Sequence, residues 1–403
     1  MTVTATALIV LLFWVVLAFD TKRWWPSIHA FRCPELERVP STASTGQEDV
    51  LVIVPALNEE ETLAETLPAL LAQASSFAKL VLVDDRSTDR TGEIARSLAG
   101  SSAEPEKLLV VTSQPPPAGW LGKIHGLKTG LNAAGGSSEW LLLTDADILH
   151  PRGSIAALVE KARKEGIELV SVMARLRAET FWEKLLIPPF VWFFQLLYPF
   201  RRVADSRSST AAAAGGCVLL RRSLLEKIGG FDALGGAVID DVRLAQLAKK
   251  SGARIWLGLG PEILSVRRSE KLEDITRMVA RTAFDQLGYR YSLVLGTFVF
   301  LGLFFVAPPV LVALGAAVGE GRAMALSLAA VLIQAALFLP AVRHHRVPLR
   351  FAFTLPLASV FYAYMTGVSA WRHWRRQGVS WRGRKILSQG TTLPWRAFRK
   401  SSF

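Results

Sequence analysis

Apolar residues in this chain are gathered at its two ends, and that placement limits what it can fold into more than any single motif does. One run lies at residues 5–19 and a longer apolar region at about 291–371, while residues 48–285 carry the polar and apolar mixture of a globular domain. A bilayer core takes a helix of about 20 apolar residues. The overall mean hydropathy of +0.30, with 51% hydrophobic residues, is therefore the average of two solvents. A water-facing domain held between membrane segments follows, with boundaries at 1–24 for an N-terminal anchor, 48–285 for the domain, 291–371 for C-terminal membrane helices and 372–403 for a tail.

The charge pattern gives that frame a direction. The first apolar run has no basic residue before it but is followed by Lys22, Arg23, Trp24 and Trp25, the reverse of a secretory signal. It reads as an uncleaved anchor that leaves the following domain in the cytoplasm. Residues 40–49 read as a linker. The tail has Arg372, Arg375 and Arg376 at its start and no acidic residue to its end. A net charge of +13 placed this way suits an anionic inner leaflet. No nucleic-acid motif accompanies it, so nucleic acid is not an expected partner. Tyr291–Val318, Met324–Val342 and Phe351–Trp371 read as membrane helices. Three full crossings would put the tail outside, against its charge. A last segment that re-enters at Pro356, or a hairpin at Pro308-Pro309, would reconcile the two. The aromatic stretch 181–202, interrupted by Pro188-Pro189, reads as an interfacial element with its rings at headgroup depth. Two cysteines, Cys33 and Cys217, make neither a disulfide framework nor a zinc site.

Between the ends the pattern alternates. Val50–Pro55, Leu80–Val83, Leu108–Thr112 and Trp140–Thr144 read as buried strands; Asn58–Ala72, Thr88–Leu98 and Lys123–Ala134 read as helices. This rhythm predicts an α/β fold with a Rossmann-like, doubly wound, mainly parallel sheet. In such sheets ligands bind beyond the carboxyl ends of the strands. Two acidic clusters fall there.

Asp145-Ala146-Asp147 follows the fourth strand. Two carboxylates one residue apart can face one hard cation, Mg²⁺ or Mn²⁺, with substrate phosphates completing its shell; a plain surface turn carries the same tripeptide. Asp84-Asp85 ends the second strand and precedes a helix. Capping explains one carboxylate there; two can also accept hydrogen bonds from a nucleobase and a ribose. Asp240-Asp241 opens a helix after Gly229-Gly230 and Gly235-Gly236, as a helix start or as a general base for an acceptor hydroxyl. Lys123, after Gly122, is a solvated helix start or a contact to a diphosphate.

Taken in order, Pro55-Ala56-Leu57-Asn58-Glu59-Glu60, the stretch Val83–Asp89, Gly122-Lys123, Asp145–Asp147, Gly215-Gly216, Gly229–Asp232 and Asp240-Asp241 resemble the family 2 glycosyltransferases over about residues 50–285. The resemblance implies a GT-A domain and an inverting transfer from a nucleotide-sugar donor. It implies donor contacts from Pro55, Asn58, Glu59, Asp84, Asp85, Lys123, Asp145 and Arg281. It makes Asp147 and Asp145 the holders of the cation, and Asp241, assisted by Asp240, the base. With membrane segments at both ends the chain resembles the branch that includes ceramide glucosyltransferases, and most of all bacterial hopene-associated glycosyltransferases. That implies a single sugar placed on a membrane lipid, a hopanoid first, at the cytoplasmic face of the inner membrane. A polyprenyl phosphate, a carotenoid or a glycerolipid is the alternative acceptor, and a non-catalytic scaffold the alternative class. Two departures stand out. Arg86 takes the place of the family's usual glycine, and Met278 and Thr282 replace the Gln and Trp of the motif in processive relatives.

Overall fold

The structure is a computed structural model, and it describes residues 3–19, 49–101, 104–375, 379–381 and 384–386. The basic residues after the first helix, the linker, Cys33 and most of the tail lie outside the described residues.

The chain starts with helix α1 (Val3–Phe19). The domain then alternates β1 (Val50–Ala56), α2 (Glu60–Leu71), β2 (Lys79–Asp84), α3 (Thr91–Ser101), β3 (Leu108–Thr112), α4 (Gly122–Ala134) and β4 (Trp140–Thr144). The strands form where β-branched and leucine runs are buried on both faces, which suits parallel pairing under helices. The remaining elements are β5 (Ile148–Leu149), α5 (Ser154–Glu165), β6 (Leu169–Leu176), α6 (Phe181–Leu197), α7 (Phe200–Ala204), β7 (Cys217–Arg221), α8 (Arg222–Lys227), α9 (Asp240–Lys250), β8 (Ile255–Ser265) and α10 (Leu272–Gln286).

Eight strands make one sheet in the order β3-β2-β1-β4-β7-β6-β8-β5. β1 pairs in parallel with β2 and with β4, so Ile53 lies between Val81 and Leu143. The second half is mixed: β7 runs antiparallel to both β4 and β6, and β5 runs antiparallel to β8. Helix α4 lies flush on the sheet because Gly130 and Gly126 leave it room. A Cβ at Gly130 would come 2.6 Å from Ile53 Cγ2. That close seating fixes the start of α4, and with it Lys123, over the strand ends. Cys217 is a buried thiol within β7.

The membrane part contains α11 (Tyr291–Phe300), a π turn at Leu301–Val306, α12 (Ala307–Ala317), α13 (Gly321–His344) and α14 (Leu355–Trp374). Among the described residues, three stretches are long and apolar enough to cross a bilayer: Tyr291–Ala317, Gly321–His344 and Leu349–Trp374. The first is continuous, so Pro308-Pro309 breaks it into no hairpin; the π turn at Leu301–Val306 directly before the prolines is where the helix departs from α geometry. α1 is shorter, at 17 residues. It runs beside the first span, with Thr4 Oγ1 donating to Glu320 Oε2 (2.7 Å) at one end and Trp14 Nε1 donating to the Phe304 carbonyl (2.8 Å) farther along.

The last segment approaches the domain near each of its ends. After α13, Arg346 lies close enough to Arg175 on β6 for the two charges to interact. At the end of α14, His373 packs on Phe284 and Tyr289, with ring centroids 5.2 and 4.8 Å apart. Both ends of residues 345–374 therefore lie near the domain. α6 is also part of the apolar bundle. Pro188 and Pro189 lie inside a continuous helix, and Trp192 is fully buried, stacked near Trp14 and donating to the Leu337 carbonyl (3.3 Å). α6 thus packs part of its ring-bearing surface against α1 and α13, while Phe181 and Leu197 at its ends stay exposed.

Candidate functional site

The strand ends gather charge around Lys123. Its Nζ lies 2.6 Å from Asp145 Oδ1 and 3.9 Å from Asp240 Oδ2, and it donates to the Gly215 carbonyl at 3.2 Å. The N–H of Gly215 donates to Asp241 Oδ2 at 2.7 Å, and Asp241 Oδ1 accepts from the Val242 N–H at 2.8 Å. Asp145, Lys123, Asp240 and Asp241 thus come from three separated stretches to one cluster, bridged by one glycine. Burial alone would lower the Lys123 pKa, but the charges of Asp145, Asp240 and Asp241 hold it well above the usual value, so it is a fixed cation. Burial, then the like charge of Asp240, pushes the Asp241 carboxyl up to about 6 against the pull of Lys123. Burial also raises Asp145, opposed by Lys123 and aided by Asp147.

The other carboxylate of the tripeptide faces a second cation. Asp147 Oδ2 accepts from Arg267 Nε at 2.9 Å and from Ser265 Oγ at 2.8 Å. Arg267 also donates to Glu59 Oε1 at 2.7 Å, and Thr62 Oγ1 holds the other oxygen of Glu59 at 2.9 Å. Burial pushes the Glu59 carboxyl up and Arg267 pulls it down. The turn itself is braced from below: Thr66 Oγ1 donates to the Ala146 carbonyl at 2.6 Å, and the Asp145 N–H to the Gly216 carbonyl at 3.2 Å. Arg267 and Ser265 were not foreseen. The signal available was a cation just past the carboxyl end of an apolar strand, the same position as the aspartates.

Asp84 and Asp85 end β2 on the same edge. Asp84 Oδ1 accepts from the Ser87 N–H (2.9 Å), while Asp85 accepts from Ser113 Oγ (2.8 Å) and Arg86 (3.1 Å). Arg86 has φ 56°, the left-handed conformation that favours glycine, so this chain keeps the turn without the glycine and adds a guanidinium on Asp85. Asn58, also left-handed at φ 51°, ties β1 to this loop by accepting from the Thr88 N–H (2.9 Å) and donating its own N–H to Ser87 Oγ (3.0 Å). Pro55 lies within β1, paired with Val83. Arg281 is exposed on α10 and makes no side-chain hydrogen bond or ion pair among the described residues, so no contact ties it to the aspartates.

One further polar group lies close enough to Asp241 for its charge to act on it. Tyr198, just past α6, donates its hydroxyl to Gln286 Oε1 at 2.8 Å. Burial pushes that hydroxyl up to about 12, with Asp241 and Asp285 adding to it.

The donor set fits a hard divalent cation. Lys123 and Arg267 each occupy one oxygen of Asp145 and Asp147, and the other oxygen of each carboxylate has no partner among the described residues. No three His, Cys, Asp or Glu side chains converge there among the described residues. A cation would take its remaining ligands from phosphate and water, as Mg²⁺ sites do.

Residues 51–229 match the model of the family described as Glycosyl transferase family 2. An undecaprenyl-phosphate 4-deoxy-4-formamido-L-arabinose transferase of Edwardsiella ictaluri is 28% identical over 138 residues, covering 34% of this chain and 40% of that one. A 4,4'-diaponeurosporenoate glycosyltransferase of Staphylococcus haemolyticus is 32% identical over 127 residues, 31% of this chain and 32% of the relative. The matches thus span well under half of each of these relatives. Among solved structures, a mannosyltransferase of Pyrobaculum calidifontis, in complex with GDP-Man and Mn²⁺, superposes with a TM-score of 0.50 at 21% identity. It covers 92% of this chain and 99% of that one, so the likeness in fold includes the membrane helices.

Proposed function

We propose, from the premise that residues 51–229 form a family 2 glycosyltransferase domain, that this protein moves one sugar from a nucleotide-sugar donor to a membrane lipid, with inversion at the anomeric carbon. The observation that carries the reading is the convergence of Asp145, Lys123, Asp240 and Asp241 at the strand ends, beside a helix bundle that the same chain builds.

The roles follow from chemistry. Asp84 and Asp85 face the nucleoside, and Pro55, Asn58 and Glu59 shape the edge on which it lies. Lys123, already a cation in a partly dry cluster, binds the diphosphate and steadies its charge as it leaves. A divalent cation, when held by Asp145, Asp147 and the donor's phosphates, supplies further charge neutralisation to that leaving group. Arg267 orients Asp147 by holding one of its oxygens. Asp241 takes the proton from the acceptor hydroxyl, and Asp240, by its negative charge, makes Asp241 a stronger base. Arg281, exposed on α10, is assigned to the diphosphate only by family likeness.

The acceptor arrives from the bundle, where α6 brings Tyr198 beside Asp241. A hopanoid is the first acceptor to assay, from the sequence resemblance; a polyprenyl phosphate and a carotenoid follow from the names of the relatives. The purified protein should release nucleoside diphosphate from a nucleotide sugar only with Mg²⁺ or Mn²⁺ and a lipid extract present. Asp147→Ala should weaken binding of both Mn²⁺ and donor in a calorimetric titration. Metal-independent turnover, or unchanged titrations, would overturn the assignment.

The distribution of basic residues supports an orientation. Arg343, Arg346, Arg372 and Arg375 flank membrane segments on the side of the domain, while Arg322, next to Glu320, lies at the far turn. The bias of basic residues puts the domain in the cytoplasm, against the inner membrane. In intact spheroplasts, a cysteine placed at Arg372 should stay unlabelled by an impermeant thiol reagent and one at Arg322 should react. The opposite pattern would reverse the topology.

A further inference from the structure

We propose that Trp120 is a positioning residue: seated against Gly235, it latches the loop that leads into Lys123 to the loop that leads into Asp240 and Asp241. This role rests on the functions assigned above to Lys123 and Asp241, and it adds the device that keeps the two in register.

Residues 113–121 join β3 to α4, and residues 228–239 join α8 to α9. Lys123 lies in the first turn of α4, and Asp240 and Asp241 open α9. Where the two loops end therefore decides where these three side chains start. The loops share a backbone bond, from the Leu121 N–H to the Gly235 carbonyl at 2.8 Å. The Trp120 indole lies on the same glycine: a Cβ added to Gly235 would come 2.5 Å from its Cε2, 2.7 Å from Cδ2 and 2.8 Å from Nε1. Beside it, a Cβ on Gly236 would stand 3.2 Å from the Gly119 carbonyl oxygen. Lys128 of α4 adds a third tie. Its Nζ donates to both oxygens of Asp232, at 2.7 and 2.9 Å, and lies 5.2 Å from the centre of the Trp120 ring. Gly215 bridges Lys123 and Asp241 directly. The cation and the base are thus joined twice, once at their side chains and once through the loops that carry them.

Core packing explains an indole set among apolar side chains. It does not explain a glycine that the backbone does not require. Gly235 has φ −42° and ψ −43°, a right-handed helical conformation open to residues with a Cβ. What glycine supplies there is room for the ring. The contact also lies near the surface: Trp120 is half-buried, and the Lys128 and Asp232 side chains are 37% and 63% exposed. An exposed ion pair adds little to stability. Spacing between reacting groups is far more sensitive, since a misplacement of about 1 Å costs about 10²-fold in rate.

The test uses the full chain in detergent, with UDP-glucose and GDP-mannose as donors and a total lipid extract as acceptor. Gly235→Ala should lower kcat by about tenfold. Donor KM should stay as in the parent, because Lys123 keeps its hold on Asp145. Trp120→Leu should cost as much. The double variant should lose no more than the worse single one, since leucine frees the space that the added methyl takes; independent sites would lose about a hundredfold. Lys128→Gln should melt with the parent and lose about threefold in kcat. Amide exchange reads the latch without turnover: Gly235→Ala and Trp120→Leu should both speed exchange at Leu121 and leave β4 as in the parent. The latch is refuted if Gly235→Ala keeps full kcat, if the two losses multiply, or if Leu121 exchanges as in the parent. Faster exchange with no turnover of either donor would leave the latch standing and count against the transferase reading.

Discussion

Asp241→Asn should lower kcat for sugar transfer by about 10³-fold and leave donor affinity intact, since a positioned general base contributes roughly 10² to 10⁴. Asparagine keeps the volume and still accepts one of the two N–H bonds from Gly215 and Val242, so the helix start should survive. The pH profile separates a base from a structural carboxylate. Burial and the neighbouring Asp240 push Asp241 up to about 6, so kcat/KM should fall tenfold per pH unit below about that value. Residual activity of the variant should lack that limb. A variant with full turnover would remove Asp241 from the chemistry.

Lys123→Met should be the most damaging single change to stability. It removes the cation that sits 2.6 Å from Asp145 and 3.9 Å from Asp240, with Asp241 beside them, and leaves those carboxylates facing one another. Removing one partner of a fully buried pair costs about 3–5 kcal/mol; with the Asp145 side chain 36% exposed, solvent brings the expected loss below that range. The loss should depend on pH with a definite sign. Asp145 and Asp241 already have folded pKa values above the unfolded ones, and without Lys123 both would rise further. The folded variant then binds more protons than the unfolded chain, so its stability falls as pH rises through that window and recovers on acidification. Thermal melts at pH 5 and pH 8 should show the parent and variant closer together at pH 5. An equal gap at both would mean that the cluster is not coupled through Lys123.

The first half of the sheet was plain in the sequence for a physical reason. β1, β2 and β4 are buried on both faces, so each is an uninterrupted apolar run, and two of them are followed at once by aspartates. The second half was not, because β7 pairs antiparallel on both sides and β8 contains Gly258, Gly260 and Pro261, which break its apolar run. The same irregularity hid Arg267, which reads as surface charge until the strand brings it to Asp147. The clustering of Asp145, Lys123, Asp240 and Asp241 was legible as three separate strand-end or helix-start positions. Their bridge through Gly215 was not, since it consists of backbone atoms. For α6 the sequence offers rings and two prolines; what buries Trp192 is the partner surface of α1 and α13, which no local pattern in that stretch encodes.

Gly215 meets Lys123, the proposed donor contact, through its carbonyl and Asp241, the proposed base, through its N–H. A methyl group there would stand 3.1 Å from both the Lys123 amine and an Asp241 oxygen. It would wedge the leaving-group cation and the base apart in one stroke. On the proposed roles, the two half-sites cannot be retuned separately from this position: a change here that alters the grip on the donor would also move the proposed base.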